Sequence, residues 1–372
     1  MPRDGIGRRA FLGGMGVAVA GLVMGHDTRA ATRPAEVSAA RLPRWRGFNL
    51  LEKFDARRSG PFRESDFDLI RQWGFDFVRL PMSYHCWGSP ADWKKIDEKV
   101  LKDVDQAVEL GRQRGIHVNI NFHRAPGYCV NPPEEPASLW TDAAALDACA
   151  EHWAHFARRY KGICSEQLSF DLLNEPPDVP EEQYLRVHRR LVEAIRQEDE
   201  ARLIIIDGLK WGRTPVHGAA ELKVAQSTRG YTPMQISHWQ ASWVKGSDAW
   251  ARPAWPLEIR RQREGREVVD RWDRARLARE SIEPWKELER RGVGVHVGEW
   301  GAYNKTPHEV VLAWMADCLE LWKQAGWGWA LWNLRGNFGV LDSGRADVQY
   351  ENFRGHNLDR RMLELLLEDK AR

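Results

Sequence analysis

Cysteine is scarce in this chain, and neither sign of charge dominates. The five cysteines, Cys86, Cys129, Cys149, Cys164 and Cys318, are odd in number and irregularly spaced. That excludes a disulfide framework and supplies no zinc-type ligand set, so no metal site is expected. The 55 basic and 53 acidic residues leave a net charge of +2. Such a balance gives no cationic surface to hold nucleic acid, and no nucleic-acid partner is expected. No G-x-G-x-x-G follows a first strand and there is no P-loop, which argues against dinucleotide or nucleoside triphosphate chemistry. The G-x-S-x-G turn of a serine hydrolase is missing as well.

Tryptophan is abundant, with 19 residues among 372. That number fits a Trp-rich core. It equally fits a cleft lined with flat apolar faces, on which the C–H faces of sugars stack. At the N-terminus, Arg8-Arg9-Ala-Phe-Leu12 precedes an apolar stretch from Gly13 to Gly25 and then Thr28-Arg-Ala-Ala31. A basic start, a short apolar segment and a small-residue cleavage site make an export signal over residues 1–31, and the paired arginines point to the twin-arginine type. The apolar stretch is too short and glycine-rich for a good membrane span. The expectation is a periplasmic or extracellular protein, with no stable membrane partner and a monomeric state. Residues 32–44 read as a linker and 45–372 as one domain.

Within that domain, short apolar runs alternate with amphipathic helical patterns. Strand patterns occur at Arg46–Leu50, Phe75–Leu80, Ile116–Phe122, Leu168–Leu173, Arg202–Asp207, Val224–Ser227, Val293–Val297 and Gly328–Trp332. Helical patterns fill most gaps: Glu64–Trp73, Ile96–Arg114, Leu146–Tyr160, Glu181–Glu198, Arg274–Arg291 interrupted by Pro284, Glu309–Gln324 and Leu358–Leu367. This order predicts a parallel sheet in a single (β/α)8 barrel, the TIM-barrel architecture, with long loops on the face at the strands' C-terminal ends. A doubly wound open sheet is the alternative. The stretch Trp239–Asp273 is rich in Trp, Arg and Pro and poorly periodic, and reads as an extended loop over the active face and a cleft wall.

Polar residues collect just after the apolar runs. Asn174-Glu175-Pro176 ends one buried strand, and Pro176 restricts Glu175 to an extended or turn conformation. Glu299 ends another strand within Val293–Gly301. Arg79, His123, Tyr231, His238 and Asn333 stand in comparable places. In a barrel those positions converge on one face. Two carboxylates at one barrel mouth are the minimum equipment for cleaving a glycosidic bond. His296, near Glu299, is expected on the opposite face of its strand.

At this point the sequence resembles glycoside hydrolase family 5, the cellulase family of retaining (β/α)8 enzymes, from about Arg46 to the last helix. Asn174-Glu175-Pro176 resembles the family's acid/base motif, and Gly298-Glu299-Trp-Gly301 its nucleophile motif. Val78-Arg79-Leu-Pro81 resembles the strand-2 arginine motif, and Phe122-His123 through Tyr128 the strand-3 histidine motif. Trp332 looks like the strand-8 tryptophan that floors the subsite next to the cleaved bond. The resemblance implies double displacement without metal or organic cofactor. Glu299 is then the nucleophile and Glu175 an acid/base whose pKa must be raised. Arg79 and Tyr231 aim Glu299, Asn174 binds the sugar 2-hydroxyl, and His123 orders the site or binds sugar hydroxyls. The carboxyl separation implied is ~5–5.5 Å.

The implied substrate is a β-linked glucan. β-Mannanase, exo-β-1,3-glucanase or β-glucosidase-type activity are the alternatives, and a non-catalytic carbohydrate-binding barrel is the rival from another class. One position departs from the pattern. Tyr231 and His238 match the family's tyrosine and later histidine, but Arg229 stands where a first histidine is expected. Turned inward, it adds a second fixed positive charge beside Arg79; turned outward, it pairs with a surface acid.

Overall fold

Eight parallel strands close on themselves. They are β1 (Arg46–Asn49), β2 (Phe77–Ser83), β3 (His117–Ala125), β4 (Leu168–Asp171), β5 (Leu203–Asp207), β6 (Ala225–Gly230), β7 (Val295–Trp300) and β8 (Gly328–Leu331). Each pairs with the next in sequence, and β1 pairs with β8 to complete the ring. This is a (β/α)8 barrel. A computed structural model describes residues 37–369 apart from Glu264. The export signal expected over residues 1–31 lies outside the described residues.

The long helices are α1 (Glu64–Trp73), α2 (Glu98–Arg114), α3 (Ala143–Arg159), α4 (Glu181–Glu198), α5 (Glu283–Arg290), α6 (His308–Ala325) and α7 (Arg360–Glu368). Local chemistry sets their ends. Asp97, Asp142 and Asp359 accept from first-turn amides of α2, α3 and α7, and Gly74, Gly115 and Gly326 close α1, α2 and α6 in the left-handed conformation. The helical run from Arg274 is broken just before Pro284: a π-turn over Ala278–Ile282 separates Arg274–Leu277 from α5, and Pro284 sits in the first turn of α5, where a missing N–H is tolerated.

Two apolar regions hold the barrel. The larger lies between the strands and the helical ring, and Trp87, Trp153, Trp285, Trp300, Trp314 and Trp329 are buried in it. Most of the tryptophan content therefore serves the core. The smaller region fills the floor of the barrel with Trp45, Phe77, Leu203 and Ala330, and Val37, Ala39 and Leu42 pack against it. So residues 37–44, expected as part of a linker, belong to the folded unit. Gly294 N donates to Ala39 O at 2.7 Å, and Arg44 pairs with Asp369 at 2.5 Å.

The stretch Trp239–Asp273 departs from its expectation. Its second half is an antiparallel hairpin, Leu257–Arg263 with Arg266–Trp272. The hairpin is mostly exposed, so its strands lack the apolar alternation that would betray them. Its tryptophans are largely committed. Trp239 donates to Trp250 O, Trp255 donates to Asp317, and Trp272 carries the Arg276 guanidinium on its face. Trp243 is 56% exposed and packs edge-on against Tyr303.

The first strand depends on a close approach that only glycine permits. A Cβ on Gly47 would lie 1.7 Å from Phe77 O on β2. Gly47→Ala is expected to destabilise the fold by more than about 3 kcal/mol in urea denaturation. Gly60→Ala, where a Cβ meets nothing within 4 Å, is the control and should change stability by less than about 0.5 kcal/mol.

Candidate active site

The upper half of the barrel interior is polar. Arg79 projects from β2 into its centre, 1% exposed, and every guanidinium nitrogen is used. Nε donates to Asp171 Oδ2 at 2.8 Å; Nη1 donates to Glu299 Oε1 at 2.6 Å and Asn49 Oδ1 at 3.1 Å; Nη2 donates to Asn174 Oδ1 at 2.9 Å. Burial pushes the Arg79 pKa down, but the carboxylates of Asp171 and Glu299 outweigh it and the net shift is upward.

Arg229 points inward from β6 and meets Arg79's partners from the other side. Nε donates to Glu175 Oε1 at 3.1 Å, and Nη1 to Asp207 Oδ1 at 2.9 Å. Nη2 donates to Asp207 Oδ2, to Asn174 Oδ1 at 2.9 Å and to Glu299 Oε1 at 3.4 Å. One guanidinium thus touches both glutamates. Of the two orientations open to Arg229, the inward one is found.

Glu175 follows β4 in a bend with φ of 50°. This left-handed conformation is uncommon for a residue with a Cβ, and it is held from both sides. Its N–H donates to Asp207 Oδ2 at 2.8 Å, and its carbonyl accepts from Tyr128 Oη at 2.5 Å. The Glu175 carboxyl is raised to about 7, first by burial and then by the charge on Glu299, with Arg229 opposing. Asp171 is likewise raised to about 7 by burial and by Asp207.

Glu299 reaches the site through a bulge. Val297 is opposite Thr228 and Glu299 opposite Arg229, so β7 carries one extra residue, Gly298. A Cβ at Gly298 would come within 2.4 Å of Ser227 Oγ. The bulge resets the alternation of faces. His296 and Glu299 do not face opposite sides: both face the interior, at different depths. His296 lies at the floor against Phe77, 4.6 Å between ring centres, and burial lowers its pKa to about 3.

The remaining expected residues line the mouth. Tyr231 Oη donates to Glu299 Oε2 at 3.2 Å, and its ring is 5.0 Å from His238. His238 meets Ser237 Oγ through Nδ1 at 2.8 Å, and burial lowers its pKa to about 4. His123 is lowered to about 3 by burial. Its Nε2 donates to Asn131 Oδ1 at 2.7 Å, and its ring stacks on Trp332 at 5.8 Å. Phe54 closes an aromatic trio with these two. A second group joins Tyr231, His238, Trp243, Tyr303 and Phe338. The hairpin that follows Trp243 walls a different space. A cavity of about 370 Å³ beside Arg229 is lined by Ile259, Asp270 and Trp272, and neither glutamate borders it.

Asp171, Asp207 and Asn49 are the residues that sequence reasoning passed over. Asp171 and Asp207 carried a signal, because each is an acid within or ending an apolar strand. An ionisable group there needs a buried partner. Asn49 carried none. Among the described residues no group of His, Cys, Asp and Glu could hold a metal ion.

Chemically, two guanidinium groups face four carboxyl groups in a buried space. Of the two carboxyls protonatable near neutral pH, Asp171 and Glu175, Glu175 sits within reach of the same guanidinium as Glu299. Because the folded state raises Glu175, its protonated form stabilises the protein below its unfolded value near ~4.3, and that contribution is lost as pH rises through about 7. Glu175→Gln mimics the protonated acid. The variant should match the parent in urea denaturation at pH 4 and exceed it by on the order of 1–3 kcal/mol at pH 8.5.

Comparison with known proteins agrees with this geometry. The family model for cellulase (glycosyl hydrolase family 5) matches residues 38–338. Endoglucanase C of Acetivibrio thermocellus is 24% identical over 308 residues, covering 77% of this chain and 88% of its own. The crystal structure of a glycoside hydrolase superposes with a TM-score of 0.80 at 38% identity, over 88% of this chain and 99% of that one. Thermotoga maritima Cel5A, in a mutant form with cellobiose, gives a TM-score of 0.70 at 24% identity, over 87% and 96%. The chain is a glycoside hydrolase and belongs to the cellulase family, glycosyl hydrolase family 5.

Proposed function

We propose that the protein hydrolyses a neutral β-linked glucan by retaining double displacement, with Glu299 as nucleophile and Glu175 as acid/base. The observation that carries this is the pairing of unlike carboxyls on one cationic cluster. Glu299 accepts from Arg79, Arg229 and Tyr231, while Glu175 is raised to about 7. An anionic nucleophile beside an acid that keeps its proton near neutrality is what the reaction needs.

In the first step a Glu299 oxygen forms a bond to the anomeric carbon. The bond from that carbon to the leaving oxygen breaks, and its electron pair takes the proton from Glu175. In the second step Glu175 removes a proton from water, whose oxygen displaces Glu299 and restores the free acid. Asn174 is suited to the sugar 2-hydroxyl. Its Oδ1 is occupied by both arginines, and its buried Nδ2 has no partner. Trp332, His123 and Phe54 form the apolar floor beneath the reacting sugar, and the exposed Trp243 offers a stacking face further along the cleft.

The choice of glucan follows the relatives. Acetivibrio thermocellus Endoglucanase C covers most of this chain. A probable glucan 1,3-β-glucosidase A of Aspergillus fumigatus is 27% identical over 152 residues. Thermotoga maritima Cel5A has also been crystallised with mannotriose, so mannan is the second substrate to test. We further propose export through the twin-arginine signal at residues 1–31.

Glu299→Ala is expected to bring turnover to background on every substrate. Glu175→Ala should lose about 10²–10⁴-fold where the leaving group needs a proton, and far less on an activated aryl β-glycoside. Added azide should restore its rate and yield the β-glycosyl azide. Equal losses for both variants on the activated substrate would defeat the assignment, as would a crystal structure with the carboxyls ~9 Å apart rather than ~5–5.5 Å. In a panel of soluble β-1,4-glucan, β-1,3-glucan, mannan and a uronic-acid polymer, cleavage of the last alone would defeat the substrate reading.

A further inference from the structure

The acid Glu175 is held by residues that its own motif does not contain. Asp207, at the C-terminal end of β5, is fully buried, and it performs two tasks at once. Its Oδ2 accepts the Glu175 N–H at 2.8 Å, pinning a backbone in the left-handed region. Both its oxygens also accept from Arg229, which fixes the guanidinium plane. Arg229 Nε then points at Glu175 Oε1, and Nη2 at Asn174 Oδ1. Because Oε1 accepts the Arg229 N–H, the acid proton falls to Oε2. Because Asn174 Oδ1 accepts from two arginines, its amide can present only N–H groups to a sugar.

We propose that Asp207 and Arg229 form a positioning pair that selects which oxygen of Glu175 carries the proton and sets the pH at which that proton is lost. The proposal rests on the reading of Glu175 as the acid/base. The two members act on Glu175 with opposite sign. Arg229 favours the carboxylate and Asp207 disfavours it. The other charged group facing Glu175 is Glu299, on β7, which also disfavours ionisation. Tyr128 and Cys129, beyond β3, and Tyr231, beyond β6, are near as well, but their pKa values are raised and they stay neutral around pH 7.

The test is the alkaline limb of kcat/KM on a β-glucoside with a poor leaving group, which reports loss of the acid proton in the free enzyme. Arg229→Gln removes a positive charge, so the limb should move to higher pH. Asp207→Asn removes a negative charge while keeping an acceptor for the Glu175 N–H, so the limb should move to lower pH. Each displacement should be about half a pH unit or more, and the double variant should return towards the parent. Arg229→Lys keeps the charge but loses the fork. Its limb should stay where the parent's is, with kcat reduced about tenfold or more and KM little changed.

Unmoved limbs, or limbs moved in the same direction in the two single variants, overturn the proposal. So does Arg229→Lys with parental kcat, and this milder change keeps the question answerable where a single variant does not fold. Glu175→Gln separates this result from the functional reading. Full activity on the poor-leaving-group substrate would mean Glu175 is not the acid. If Glu175→Gln is inactive there while the limbs of the pair variants are unmoved, the pair alone is refuted.

Discussion

The top of this barrel is organised by a shortage of positive charge. Arg79 and Arg229 are the cations of the central cluster, and Asp171, Asp207, Glu175 and Glu299 are the carboxyls packed around them. Four ionised carboxylates would leave two excess negative charges crowded in a largely desolvated cluster, which is unfavourable. Protons make up the difference. Asp171 and Glu175 are the two whose affinity for a proton is pushed up to about 7. The protonatable acid is thus a property of the whole cluster. It needs the strands that deliver Arg79, Asp171, Asp207, Arg229 and Glu299 to one height, which a closed barrel of staggered parallel strands provides.

Guanidinium groups suit this position for a geometric reason. Each presents five donors in one plane, and here Arg79 and Arg229 share two acceptors, Asn174 Oδ1 and Glu299 Oε1. Shared acceptors cross-link β2, β6, β7 and the loop after β4 through side chains alone. The lower half of the interior is held differently, by Trp45, Phe77, Leu203 and Ala330. A barrel with an apolar plug below and a charge lattice above separates the task of stability from the task of chemistry.

Much of this was legible from the amino-acid sequence, because it lies in short-range pattern. The strand and helix order, and the polar residues at strand ends, follow from periodicity and turn chemistry. Three features did not, each for a physical reason. The hairpin at Leu257–Trp272 is exposed over most of its length, and of its apolar residues only Leu257, Ile259 and Trp272 turn inward, so little in its composition had to alternate. The facing of His296 and Glu299 was misread because Gly298 inserts a bulge, and a single extra residue inverts every parity argument beyond it. Asp207 and Asp171 were passed over because their meaning depends on partners far along the chain, as with Asp207 and Arg229. The direction of Arg229 is undetermined by local sequence for the same reason. Only tertiary pairing decides whether an arginine turns toward buried acids or toward solvent.

The floor of the barrel has a consequence for attachment. Residues 37–42 lie against Trp45 and Phe77, and Arg44 is joined to Asp369, so both ends of the folded unit leave from the face opposite the two glutamates. A tether, an appended module or a solid support fixed at either end would hold the enzyme by its base. The open cleft would then face outward, toward a polymer lying on the far side.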